Sequence, residues 1–444
     1  MYPIAQIRQQ FLGLTQNDAQ GQPPIFFDGP GGSQLPKSVV ATLANYLYCF
    51  NSNMGGTAHA GIVTTKVNDK ARAAAAIWLN ASPKNIIFGL NSTSLMFNIA
   101  RAVARTWQAG DNIVLSSIEH FSHVSSWQEA AIDCGVEVRF IPLNHDASTL
   151  DLTTLNTLID NKTRLVAVSL ASNVLGTKTD IATIATRAKS VGAILSYDAV
   201  HAIVHEPVDV VALGCDLLFA SAYKIGGAHL GICYMADSLI GIRPYKVTPA
   251  TNIPPNAWEQ GTQSFEAQAS LVALMHYWAN LATINLATMD KGDTANKGDT
   301  ANNDDWSHDL LALLDKPLPA RQSLIESHRL VGEYETMLAE RFLSFAKQRD
   351  YLVLYGNHHA NNRTPTFAFN VQKNGKLINP SAISDYFGTK NIALPSGNFY
   401  ALKVAEALDL VETNFLRVGF LHYSTASEID ELFKLLDEFV ANYK

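Results

Sequence analysis

The chain has 444 residues, 47% of them hydrophobic and 16% charged, enough for two or three domains around a large core. Its 33 basic and 40 acidic residues leave a net charge of −7, with no basic run of the kind that tracks nucleic acid. No apolar stretch reaches the ~18 residues of a membrane span and no signal-peptide pattern opens the chain, so the expectation is a cytoplasmic protein with neither nucleic acid nor membrane as partner.

Residues 1–24 read as an amphipathic helix and a Gln/Pro-rich linker. A short strand at 25–27 then meets the turn Gly29-Pro30-Gly31-Gly32, and Pro36 opens a helix to residue 48. After a flexible loop at 53–57, an alanine-rich helix covers 66–79 and a strand covers 86–89. Asn91-Ser92-Thr93-Ser94 heads an apolar helix running to Arg105. A strand, small hydroxyls and a helix start make a phosphate site, because backbone N–H groups and the helix dipole face the anion. The same residues also make an ordinary N-cap.

Strands at 112–116, 136–142 and 165–169 continue the alternation with helices. The first leads to Glu119-His120-Phe121-Ser122-His123, where a histidine suits either a flat ring or a structural role. The third leads to Ala171-Ser172-Asn173-Val174-Leu175-Gly176-Thr177, where asparagine approaches a ligand or tolerates an unusual backbone angle. An apolar run at 191–197 ends at Asp198, and another at 216–220 empties into Ser221-Ala222-Tyr223-Lys224. Open α/β sheets bind ligands at these carboxyl ends. A lysine with little competing charge nearby suits Schiff-base formation, the alternative being a solvated lysine beside a strand-end cap. No GxGxxG opens a helix after a strand, which excludes a Rossmann dehydrogenase.

A strand at 232–235 precedes the loop Trp258-Glu259-Gln260-Gly261-Thr262, and a helical pattern covers 265–287. The tandem KGDTAN repeat at 291–302 has nothing to bury and reads as a surface loop. A long helical region from Ser307, strands at 351–355 and 366–370, and helices at 381–387 and 426–443 form a smaller α+β unit. Within it, Arg417 interrupts the apolar run Phe415-Leu416-Arg417-Val418-Gly419, and a buried arginine requires a ligand or a carboxylate. The expected organisation is an N-terminal segment at 1–50 packing on the small domain and the site, a large domain at 51–287, the loop at 288–305 and a small C-terminal domain at 306–444. Cys49, Cys134, Cys215 and Cys233 show no paired spacing and read as reduced core thiols.

Asp198-Ala199-Val200-His201 and Ser221-Ala222-Tyr223-Lys224, in order with the Ser172-Asn173 and Gly261-Thr262 turns, resemble the pyridoxal 5'-phosphate (PLP) site of the class V aminotransferase and cysteine desulfurase family. The resemblance spans about Phe26 to Tyr423. It implies PLP fold type I: a large α/β domain whose mixed, mostly parallel seven-stranded sheet lies between helices, plus a smaller α+β C-terminal domain. It further implies that Lys224 carries PLP as a Schiff base, that Asp198 keeps the pyridine nitrogen protonated, and that His120 stacks on the ring. Ser92, Thr93 and Ser94 fall at the phosphate, and Asn173, His201, Ser221 and Tyr223 fall among the other cofactor contacts. Arg417 and Asn173 would take an amino-acid substrate, with the Arg417 fork on its α-carboxylate. Thr262 would reach the partner's phosphate in a homodimer, and no metal is implied. The desulfurases use a nucleophilic cysteine in the region matching 393–401, and this chain has none there or anywhere after Cys233. It therefore resembles the desulfurase-like subgroup that lacks this cysteine, with desulfurase-like or C–S lyase chemistry expected. A class V aminotransferase, an epimerase or a non-catalytic protein of the same fold are the alternatives.

Overall fold

A computed structural model describes residues 2–284 and 306–443; the loop at 288–305, with both copies of the KGDTAN repeat, lies outside them. The strands are β1 (Ile25–Phe26), β2 (Ile86–Gly89), β3 (Asn112–Ser116), β4 (Glu137–Ile141), β5 (Thr163–Ser169), β6 (Ile194–Asp198), β7 (Leu217–Ser221) and β8 (Gly231–Met235). Beyond the loop follow β9 (Leu352–Tyr355), β10 (Thr366–Lys373), β11 (Lys376–Leu377), β12 (Ile392–Ala393), β13 (Ser396–Gly397) and β14 (Phe415–Gly419).

The large sheet has seven strands in the order β2-β8-β7-β6-β5-β3-β4. Only β8 runs antiparallel to its neighbours. Its central strands are buried on both faces, which is why they read as nearly unbroken apolar runs. Alternate residues serve opposite cores. Val166, Val168 and Leu195 join the helices His59–Leu79 and Phe265–Asn280, while Leu165, Ala167 and Phe219 join Ser92–Val103 and Phe121–Cys134.

The second sheet is antiparallel, in the order β11-β10-β14-β13 with β9 beside β10. The helices Arg321–Lys347 and Ala426–Asn442 cover it through a phenylalanine cluster, in which Phe342 stacks on Phe367 at 4.2 Å. The chain start is tied to this unit: β1 pairs parallel with β12, Asp28 bridges to Gly419, and Tyr2 donates to the His422 carbonyl. The helix Lys37–Cys49 packs instead on Phe265–Asn280.

Three expectations need correction. The expected helix over the chain start is, among the described residues 2–24, only a five-residue helix, Ile4–Arg8, and a 3-10 turn, Leu12–Thr15, because Phe11 and Leu14 leave helical register to dock in the core. The alanine-rich helix starts earlier, at His59, where the Thr64 and Thr65 hydroxyls bond back to the carbonyls of Ala60 and Gly61. Of the four cysteines only Cys215 and Cys233 are buried; Cys49 is exposed and Cys134 half-buried, each at the last position of its helix. No helix among the described residues is long and apolar enough to cross a membrane.

Candidate active site

Asp198 ends β6 level with Ser169 on β5, its Oδ1 accepting from the Val200 N–H at 2.8 Å. Burial raises its carboxyl to about 6, with His123 opposing and Glu119 adding to the rise. One strand over, β7 passes into the turn Ala222–Lys224, which buries the lysine. Lys224 Nζ donates to the Pro30 carbonyl and lies 4.7 Å from the Tyr223 ring centre. Burial, then the charge of Arg417, lowers its amine to about 7, while Asp28 and Asp198 pull the other way.

Opposite them, Asn91 caps the helix Ser92–Val103 by accepting from the Ser94 N–H at 2.8 Å. Helix geometry leaves the first N–H groups without intrahelical partners, an arrangement suited to an anion. The Ser92 hydroxyl is tied to the Ala220 carbonyl on β7. Gly231 lets β8 pass beneath this turn, since a Cβ there would sit 2.4 Å from the Asn91 carbonyl carbon. His120 precedes the helix Phe121–Cys134, and its Nδ1 accepts from the Ser122 N–H. Burial, then the charges of Lys224 and Arg417, lowers the imidazole to about 4 and leaves it a neutral flat ring.

Ser92, Thr93, His120, Asn173, Asp198, His201, Ser221, Tyr223 and Lys224 line one cavity of about 400 Å³. Ser94, Thr262 and Arg417 are not on that lining. Ser94 is exposed, and its hydroxyl is engaged with Asn91. Thr262 lies exposed in a separate groove with Asn53, Met54 and Gln263. Arg417 is buried on β14, where it pairs with Asp28 at 2.5 Å, donates to the Asn173 carbonyl at 3.2 Å and lies 3.9 Å from the Phe399 ring centre.

Sequence reasoning missed His229, which stacks on Tyr223 at 5.0 Å and lines the cavity. His123 has a structural place: its Nδ1 meets buried Glu119 at 2.7 Å and its Nε2 meets Ser196 at 2.8 Å. The only sequence signal was the four-residue spacing of Glu119 and His123. None of the four cysteines is among the lining residues.

The donors fit PLP. Two buried polar atoms on the lining residues, Ser221 Oγ and Asn173 Oδ1, have no partner within the protein, as a ligand-binding pocket requires. A helix start suits the phosphate, a buried acid the ring nitrogen, and an amine near neutrality the carbonyl carbon.

An open, mostly parallel sheet with such an acid and lysine on adjacent strand ends defines a PLP-dependent enzyme of fold type I. The profile of the aminotransferase class-V family matches residues 25–293, and the chain belongs to that family. It is 29% identical over 439 residues to a cysteine desulfurase of Pectobacterium atrosepticum, covering 97% of this chain and 96% of that one. An aminotransferase-like protein of Gibberella zeae is 26% identical, with 98% of each chain covered. Among solved structures, the apo cysteine desulfurase of Thermococcus onnurineus superposes with a TM-score of 0.79 at 22% identity, covering 99% of this chain and 98% of that one. The Escherichia coli desulfurase CsdA gives 0.77 at 22% identity, with 99% of each chain covered.

Proposed function

We propose that the chain cleaves the C–S bond of a cysteine-like amino acid by β-elimination, without loading sulfur onto a cysteine of its own. One observation carries this reading: nine residues of the expected PLP set surround a single cavity to which no cysteine contributes. Bound PLP supplies an electron sink that acidifies the substrate's Cα–H.

In this reading the chain's own groups act as follows. The N-terminus of Ser92–Val103, with Ser92 and Thr93, holds the phosphate, Asp198 keeps the ring nitrogen protonated, and His120 covers the ring face. Ser221, Tyr223 and His201 complete the cofactor's surroundings. Lys224, lowered to about 7, is available near neutral pH both to attach the cofactor and to take the Cα proton. Arg417 and Asn173 fix the α-carboxylate so that the Cα–H bond stands across the ring plane. We also propose that β2–β8 and β9–β14 belong to two domains, 51–287 and 306–444, and that Thr262 serves the partner's site in a homodimer.

The test is to incubate holoenzyme with cysteine. With water consumed, elimination yields sulfide, pyruvate and ammonia in equal amounts. Alanine with sulfane sulfur on Cys49, Cys134, Cys215 or Cys233 would overturn the proposal.

A further inference from the structure

We infer that Asp28 is a built-in competitor for the substrate's carboxylate: it holds the Arg417 guanidinium and must give way before an amino acid can dock there, which makes it a specificity-determining residue. The inference rests on the reading of Arg417 as the carboxylate subsite.

Arg417 has its side chain only 4% exposed, and Asp28 is its carboxylate partner, through Nη2 at 2.5 Å. Nη1 is engaged by a neutral carbonyl, that of Asn173, and Nε is buried without a partner. A buried guanidinium demands one counter-charge. With Asp28 in place the pair is neutral, so an incoming carboxylate meets a satisfied cation and a like charge beside it. If Asp28 withdraws, the substrate finds an uncompensated cation with a planar fork suited to a carboxylate.

The fold delivers Asp28 deliberately. Its backbone bridges to Gly419, two residues beyond Arg417, and Pro30 packs so closely on Gly419 that a Cβ there would lie 2.2 Å from the Pro30 ring. Gly31 leaves room for the carboxylate, since its own Cβ would fall 1.9 Å from Asp28 Oδ2. The partners differ in exposure. The Asp28 side chain is 37% exposed and borders a groove of about 590 Å³ with Ser384, Thr389 and Pro395. The acid thus borders open space into which it can turn, while the arginine is enclosed by protein. The same turn supplies the Pro30 carbonyl that binds Lys224, so residues 28–30 engage both cations of the site.

The test compares L-alanine with ethylamine, which lacks only the carboxylate, as ligands of the holoenzyme, with binding read from the cofactor absorbance. Asp28→Asn should bind alanine about tenfold more tightly, the scale of one charge-assisted contact, with ethylamine unchanged. Asp28→Ser repeats the measurement with a smaller side chain in case the amide disturbs the turn. A purely structural ion pair would weaken both ligands alike in either variant, and that result would overturn the inference. Unchanged alanine affinity in both Asp28 variants, with alanine binding weakened in Arg417→Gln, would overturn the role of Asp28 and leave the Arg417 subsite standing. Undiminished alanine binding in Arg417→Gln would remove the subsite itself, and the inference with it.

Discussion

Burial, more than any single partner, governs the acid that ends β6. Its carboxyl is raised to about 6 against an ordinary value near 3.9, so the folded apo-protein keeps the acid neutral only below about pH 6. That contribution, about 3 kcal/mol, is present below the unfolded value and lost as pH rises through about 6. Asp198→Asn should therefore melt at a higher temperature than wild type as apo-protein at pH 8, with the gap closing by about pH 4. Its holoenzyme turnover should fall on the order of a hundredfold, because an amide cannot hold the ring nitrogen protonated. Thermal melts across this pH range, with rates on cysteine, check both; a melting gap independent of pH would show that the acid carries no buried charge. Asp198 was legible because a polar residue closing an apolar strand announces itself, and Lys224 because the next apolar strand empties into its turn. The network below them was not. Glu119 accepts from the backbone N–H and the hydroxyl of Ser169, and His123 meets Ser196 on β6, pairings set by strand register and invisible along the chain.

At the scale of elements, the buried strands were read within a few residues of their bounds, because a sheet covered on both faces leaves continuous apolar runs. The first 24 residues were over-read, since docking of Phe11 and Leu14 overrides a weak helical pattern there. The loop bearing Thr262 shows the opposite case, a motif whose position follows from an anchor elsewhere. The Glu259 side chain is enclosed against Arg72 at 2.8 Å and accepts from the Phe88 N–H, fixing the loop's start to the edge of the large sheet. Thr262 then lies exposed, away from the cavity of its own chain. If it serves a partner's phosphate, Thr262→Ala should still fold and sediment as a dimer but lose cofactor several-fold faster on dilution, the effect of one lost hydrogen bond. A wild-type particle of one chain with full cofactor would contradict this.

Across the whole molecule, the two sheets meet where the chemistry is expected. Thr364, just before β10, bonds His201 at 3.0 Å, and its N–H reaches the Gly176 carbonyl at 2.8 Å. The buried Arg363 guanidinium binds the Leu175 carbonyl beside it. Such junctions join residues more than 160 positions apart, so the architecture was legible through its family resemblance and through strand–helix alternation, whereas the seam between the units was not. The most direct measurement is borohydride reduction of the holoenzyme followed by peptide mapping. The cofactor mass should be fixed to the peptide at Lys224, and Lys224→Ala should show neither the attachment nor turnover. Reduced cofactor recovered on another lysine, or turnover retained in Lys224→Ala, would contradict this.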